Sequence, residues 1–179
     1  MGSEMCIRDR LYAAWLPLAE KLAPNGERFA SHLSYYPLAM YWPEDMRWSK
    51  APMLNLLGGK DDYTPFSLTQ RLTKGISDSG GNCEDILYEE GLHGFDAVQP
   101  KTYWPDSIAP NTEKFARIDL KGDISFETDD GEILAGNTVE DRIKLFEKVA
   151  KLGTWTGGNW EIRRLSLIHI SEPTRPLYI

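Results

Sequence analysis

The stretch that most restricts the fold is Pro52 to Leu57, a short apolar run closed by Gly58-Gly59. A strand with one wet face would alternate apolar and polar residues, and this one does not, so it reads as a strand buried on both faces of a parallel sheet. A parallel neighbour cannot be reached by a hairpin, so the chain must cross over, normally through a helix. The next residues supply that crossover. Thr64-Pro65 reads as an N-cap followed by proline in the first turn, Leu68, Leu72 and Ile76 form a buried stripe, and Gly80-Gly81 stops the helix. Cys83 to Glu89 is then the next strand. The expected class is α/β, with parallel strands covered by helices on both sides.

The flanking segments are read more coarsely. Leu11, Trp15, Leu18 and Leu22 fall at helical spacing, so Leu11 to Ala23 is expected to be one amphipathic helix, kinked or ended by Pro17. Pro24-Asn25-Gly26 is a turn, and Phe29 to Tyr36 reads as a strand ending before Pro37. Met40 to Lys50 and Pro100 to Pro110 show no period and are expected to be loops. Ile124 to Thr128 and Glu132 to Ala135 flank Asp129-Asp130-Gly131 as a hairpin. Thr138 with Asp141 resembles a capping box, opening a last helix whose inner face would be Val139, Ile143, Phe146 and Ala150.

The two ends carry a different signal. Glu4 to Arg10 can be encoded by GAG ATG TGT ATA AGA GAC AG, and the reverse complement of that string translates to Leu-Ser-Leu-Ile-His-Ile-Ser, the residues from Leu165 to Ser171. The string resembles a transposase adapter end used in sequencing libraries. Residues 1–10 and 165–179 are therefore expected to be translated adapter, excluded from fold reasoning as tags and scars are. Residues 11–164 are expected to be the C-terminal part of one domain.

Arg8, Arg10 and Arg175 leave with the ends, as do Glu4, Asp9 and Glu172, so the net charge of −7 is unchanged by the exclusion. That charge, with a pI near 5.0, argues against a nucleic-acid partner, which needs clustered Lys and Arg to neutralise phosphates. No run approaches the ~18 apolar residues of a membrane span. Cys83 is the one cysteine left between the ends and cannot form an internal disulfide.

Two loops carry chemistry. In Leu56-Leu57-Gly58-Gly59-Lys60-Asp61-Asp62-Tyr63-Thr64-Pro65 an aspartate sits just past a buried strand, at the sheet edge where open α/β proteins bind ligands. In Glu90-Gly91-Leu92-His93-Gly94-Phe95-Asp96 a histidine sits just past the following strand. The two side chains are expected to meet, the carboxylate accepting the ring N–H and stabilising the imidazolium that forms when the ring takes a proton.

These two loops, in this order, resemble the acid and histidine loops of the dienelactone hydrolase family of α/β-hydrolases, over roughly Leu11 to Val98. The resemblance implies a partial α/β-hydrolase fold with its upstream strands missing. It implies a hydrolase of small carboxylic esters or lactones, with no metal or organic cofactor. Asp61, four residues before Pro65, matches the family's acid, with Asp62 as runner-up, and His93 matches its base. The family's nucleophile lies in an upstream Gly-x-Cys/Ser-x-Gly elbow, and that pattern occurs nowhere in this chain. Cys83, at a strand start, reads instead as a small buried thiol.

A chain without the nucleophile is expected to be inactive alone. Peptidase-like and carboxylesterase members share the triad order, and a hydrolase-like binding protein could keep both loops. His32, in an apolar strand, reads as structural, and Asp96 as a partner of the histidine loop. Tyr41, Trp42 and Trp48 would either line a substrate pocket or simply pack.

Overall fold

A computed structural model describes residues 11–171, with side chains through residue 168. At its centre β1 (His32–Tyr35), β3 (Met53–Gly58) and β4 (Cys83–Tyr88) form a parallel sheet in the order β1-β3-β4, and α2 (Phe66–Asp78) crosses from β3 to β4. The double burial expected of β3 is present. Met53 packs with Leu72 and Ile76 of α2, while Leu56 packs on the opposite face with Tyr88, Phe95 and Ile162. β1 is shorter than Phe29 to Tyr36, because Phe29 lies outside the ladder and is two-thirds exposed.

Leu11 to Ala23 is not one helix. Residues 11 and 12 are helical, the chain turns, and Trp15 becomes extended before α1 (Leu16–Leu22) begins with Pro17 in its first turn. Non-local bonds hold the break: Trp15 Nε1 donates to Asp45 O (2.6 Å), and Leu16 N donates to Arg47 O (2.9 Å). Proline lacks an N–H that a first-turn position leaves unpaired anyway, so Pro17 starts the helix instead of kinking it.

Both expected loops contain strands. β2 (Tyr41–Pro43) pairs in parallel with β6 (Ala116–Ile118), which continues antiparallel into β7 (Ile124–Glu127) and β8 (Ile133–Ala135). β5 (Thr102–Pro110) pairs antiparallel with β9 (Ala150–Thr156) through a register shift between Trp104 and Ile108. Most of this ribbon is open on both faces, with Tyr103, Trp104, Ile108, Leu152 and Trp155 exposed, so it has no buried face to mark it in sequence.

α3 (Val139–Val149) opens with the expected capping box, Thr138 Oγ1 accepting from Asp141 N and Asp141 Oδ2 from Thr138 N, both at 3.1 Å. Its inner face is another matter. Val139, Ile143 and Phe146 are exposed, and the helix instead packs through Val149 and Leu145 onto Ala116 and Phe126. α4 (Trp160–Ser171) runs across the expected boundary at Leu165, burying Ile162 and Ser166 and leaving Leu165 and Leu167 about half exposed. The other expected adapter residues, 1–10 and 172–179, lie outside the described residues. No helix among the described residues is long and apolar enough to cross a membrane.

Candidate active site

The loops that follow β3 and β4 touch through their backbones. Gly59 N donates to Tyr88 O (2.8 Å) and Lys60 N to Gly91 O (2.9 Å). A Cβ on Gly58 would stand 2.6 Å from Gly91 O, and one on Gly59 would stand 2.5 Å from Glu89 O, both closer than real Cβ atoms come. Gly58-Gly59 is therefore a requirement for bringing the two loops together.

Asp61 is buried at the end of this contact. Its Oδ1 accepts from Tyr63 N (2.9 Å) and Thr64 N (2.7 Å), and its Oδ2 lies 3.0 Å from His93 Nδ1. In the tautomer that donates Nδ1–H to the carboxylate, the other ring nitrogen, Nε2, is the acceptor. The carboxylate is 0% exposed and the imidazole 20%, so the carboxylate is sealed while part of the ring stays open to solvent.

Thr64 completes the constellation. Its hydroxyl lies 2.8 Å from Asp61 Oδ2, 3.0 Å from Tyr36 O and 3.2 Å from His93 Nδ1. The expectation of a helix cap fails here, because Pro65 occupies the cap position and no side-chain cap bond forms. The Tyr36 and Tyr63 rings both pack against the imidazole, with centroids 4.4 and 4.6 Å away. Tyr36 reaches that place through a positive φ of 37°, uncommon without glycine, directly after β1. Its hydroxyl donates to Asp96 Oδ1 (3.1 Å), and burial raises its pKa well above the ordinary value, so it stays a neutral donor.

Asp62 points elsewhere. Its Oδ1 accepts from Trp155 N (3.0 Å) and its Oδ2 lies 3.6 Å from Lys151 Nζ, so it grips β9. Just past that strand, Gly157 N donates to His93 O (2.8 Å) and Asn159 N to Phe95 O (2.9 Å). The segment from Lys151 to Asn159 thus ties down both loops. No periodicity in the sequence marks Tyr36, Thr64 or this strap, since each acts through a partner distant in the chain.

Cys83 sits at the opposite end of the sheet, where it pairs in register with Met53. It is buried beside Thr73 and Asn55, and burial pushes its thiol up to about 11. His32, also at a strand start, is buried with its ring 5.7 Å from Phe29. Trp48 is a core residue and Trp42 packs on Phe115 (5.2 Å), whereas Tyr41 lines a cavity. That cavity, of about 610 Å³, has Tyr63 in its wall. Among the described residues no cluster of His, Cys, Asp and Glu is arranged to hold a metal ion.

A buried carboxylate on Nδ1 of a partly exposed imidazole suits proton abstraction from a hydroxyl, a thiol or water. The sequence profile of the dienelactone hydrolase family matches residues 17–117, more than half of the chain, taking in both loops and running past Val98 into β6. No curated protein and no solved structure matches the chain significantly.

Proposed function

This chain belongs to the dienelactone hydrolase family of α/β-hydrolases, and on that footing we propose that it carries the acid and base of an esterase or lactonase that works through a covalent acyl-enzyme. The observation that supports this most directly is the 3.0 Å approach of Asp61 Oδ2 to His93 Nδ1. In the proposed cycle His93 Nε2 takes the proton of a serine hydroxyl or cysteine thiol, whose freed electron pair attacks the acyl carbon. The tetrahedral intermediate then expels the alkoxide, which receives that proton. His93 next deprotonates water, which attacks the acyl-enzyme; the acid is released as the departing serine or cysteine takes the proton back from His93. Asp61 holds the tautomer and stabilises the imidazolium at each turn.

In this reading the nucleophile comes from a Gly-x-Cys/Ser-x-Gly elbow outside the chain, and the chain alone is inert. Two carboxylic-ester assays test it, p-nitrophenyl acetate and a small lactone, applied to the chain and to the chain joined to its upstream coding sequence from the source DNA. The joined protein should turn over, His93→Ala should lose several orders of magnitude in kcat, and Asp61→Asn should lose on the order of 10⁴. Full activity in His93→Ala would overturn the assignment.

A further inference from the structure

We propose that the cavity beside Tyr63 binds the apolar body of an uncharged ester, which would place its acyl carbon at His93. This rests on the hydrolase reading above and adds the class of substrate. The cavity, about 610 Å³, lies within the range of small-molecule sites, roughly 300–1,000 Å³. Its wall is mainly apolar, with Ala116, Ile124, Phe126, Leu145 and Val149 on one side.

Two features connect it to the chemistry. Tyr63 lines the cavity and its ring stands 4.6 Å from the His93 ring, so the space and the imidazole share one neighbouring residue. Asp61 holds the backbone N–H of the same Tyr63 at 2.9 Å, so the acid that orients His93 also positions the wall.

The charges define the ligand. Asp106 and Arg142 are the charged side chains of the lining, one of each sign, and both are exposed. Arg142 Nε donates to Gly136 O (3.0 Å), and neither residue forms an ion pair with the other. A carboxylate ligand attracted by Arg142 is repelled by Asp106, and a cation meets the reverse, so neither gains on entering an apolar space that strips its water. An uncharged ester with a phenyl-sized or branched body gives up only the hydration of its carbonyl, far less than an ion does, and covers the wall.

Butyrophenone, a ketone with the outline of a neutral ester and no bond to cleave, is a suitable probe for the whole chain. Titration followed by methyl NMR should give saturable shifts at Ile124, Leu145 and Val149 and at the Tyr63 ring. Ala116→Leu, which fills the space, should weaken binding about tenfold or more. Should that variant unfold, Phe146→Ala, at a half-exposed position of the rim, should still weaken binding severalfold. The anion 4-phenylbutyrate should bind at least about tenfold more weakly than the ketone.

Absence of shifts at the lining residues, or binding indifferent to both substitutions, would overturn the pocket. Equal or tighter binding of the anion would overturn the uncharged class. Binding to this chain needs no nucleophile, which separates the two readings. Ketone binding without ester turnover in the joined protein removes the hydrolase and leaves the pocket, whereas turnover without ketone binding removes the pocket alone.

Discussion

Asp62→Ala should free the strap at Trp155 while leaving the central sheet intact. The substitution deletes the acceptor of Trp155 N–H at 3.0 Å and the ion pair to Lys151 at 3.6 Å. A hydrogen bond to a charged acceptor contributes ~1.5–3 kcal/mol when shielded from water. Here the Asp62 and Lys151 side chains are 33% and 37% exposed, so water replaces part of the lost bond and screens the pair, which adds ~0–1 kcal/mol. The net loss is therefore about 1–1.5 kcal/mol, and the open fraction of the strap should rise about tenfold. Native-state hydrogen exchange reads this directly. The Trp155 amide should exchange about tenfold faster, Gly157 and Asn159 less so because His93 O and Phe95 O still hold them, and Ile86 within β4 not at all. Asp62→Asn keeps an oxygen acceptor and should cost only a few tenths of a kcal/mol, an acceleration of about threefold or less. Unchanged exchange at Trp155 in Asp62→Ala, or equal acceleration at Ile86, would refute the strap.

Three further outcomes follow from the geometry. Gly59→Ala should destabilise by about 1–3 kcal/mol or more in urea unfolding, since the added Cβ meets Glu89 backbone atoms that cannot give way. Cys83 should resist iodoacetamide in the native state at neutral pH and react at the rate of opening, because burial keeps it a thiol with its pKa pushed up to about 11. Asp85 is held above the ordinary carboxylate range by burial, despite accepting from Asn55 Nδ2 (2.9 Å) and Thr73 Oγ1 (2.8 Å). The native state therefore keeps this proton to higher pH than the unfolded chain does. Its contribution is full below the unfolded pKa and is lost as pH rises through the native one. Asp85→Asn should remove that loss, so urea unfolding should show the variant gaining on the parent from acid toward neutral pH.

The parts of the fold legible in the sequence are those whose partners are near in the chain or whose environment is uniform. β3, α2 and β4 announce themselves because Leu68, Leu72 and Ile76 repeat at helical spacing between two apolar runs, and Gly58-Gly59 marks the loop contact. The capping box at Thr138 and Asp141 is local and forms as spaced. β2 is illegible because its one ladder partner, β6, lies more than seventy residues on, and β5 because its mostly open faces leave no alternation. The α3 stripe misleads for a related reason: Val139, Ile143 and Phe146 share a face, but among the described residues nothing buries that face. At the site, Asp61 and His93 were visible through the residues around them in their loops. Thr64 was visible only as a cap, since its bonds to Tyr36 O and Asp61 Oδ2 depend on β1 ending beside β3.

β2 lies between β1 and β3 in the chain yet takes its hydrogen bonds from β6, and Phe115 and Ile118 at that strand pack against the core beneath α1 and α2. The residues after Val98 are therefore laced through the hydrolase portion and cannot be lifted off as an add-on module. An engineer who trims the chain there exposes the edge of β2 and opens that core, so a shorter folded unit has to be sought by redesigning Tyr41 to Pro43 and their neighbours and not by cutting at a linker.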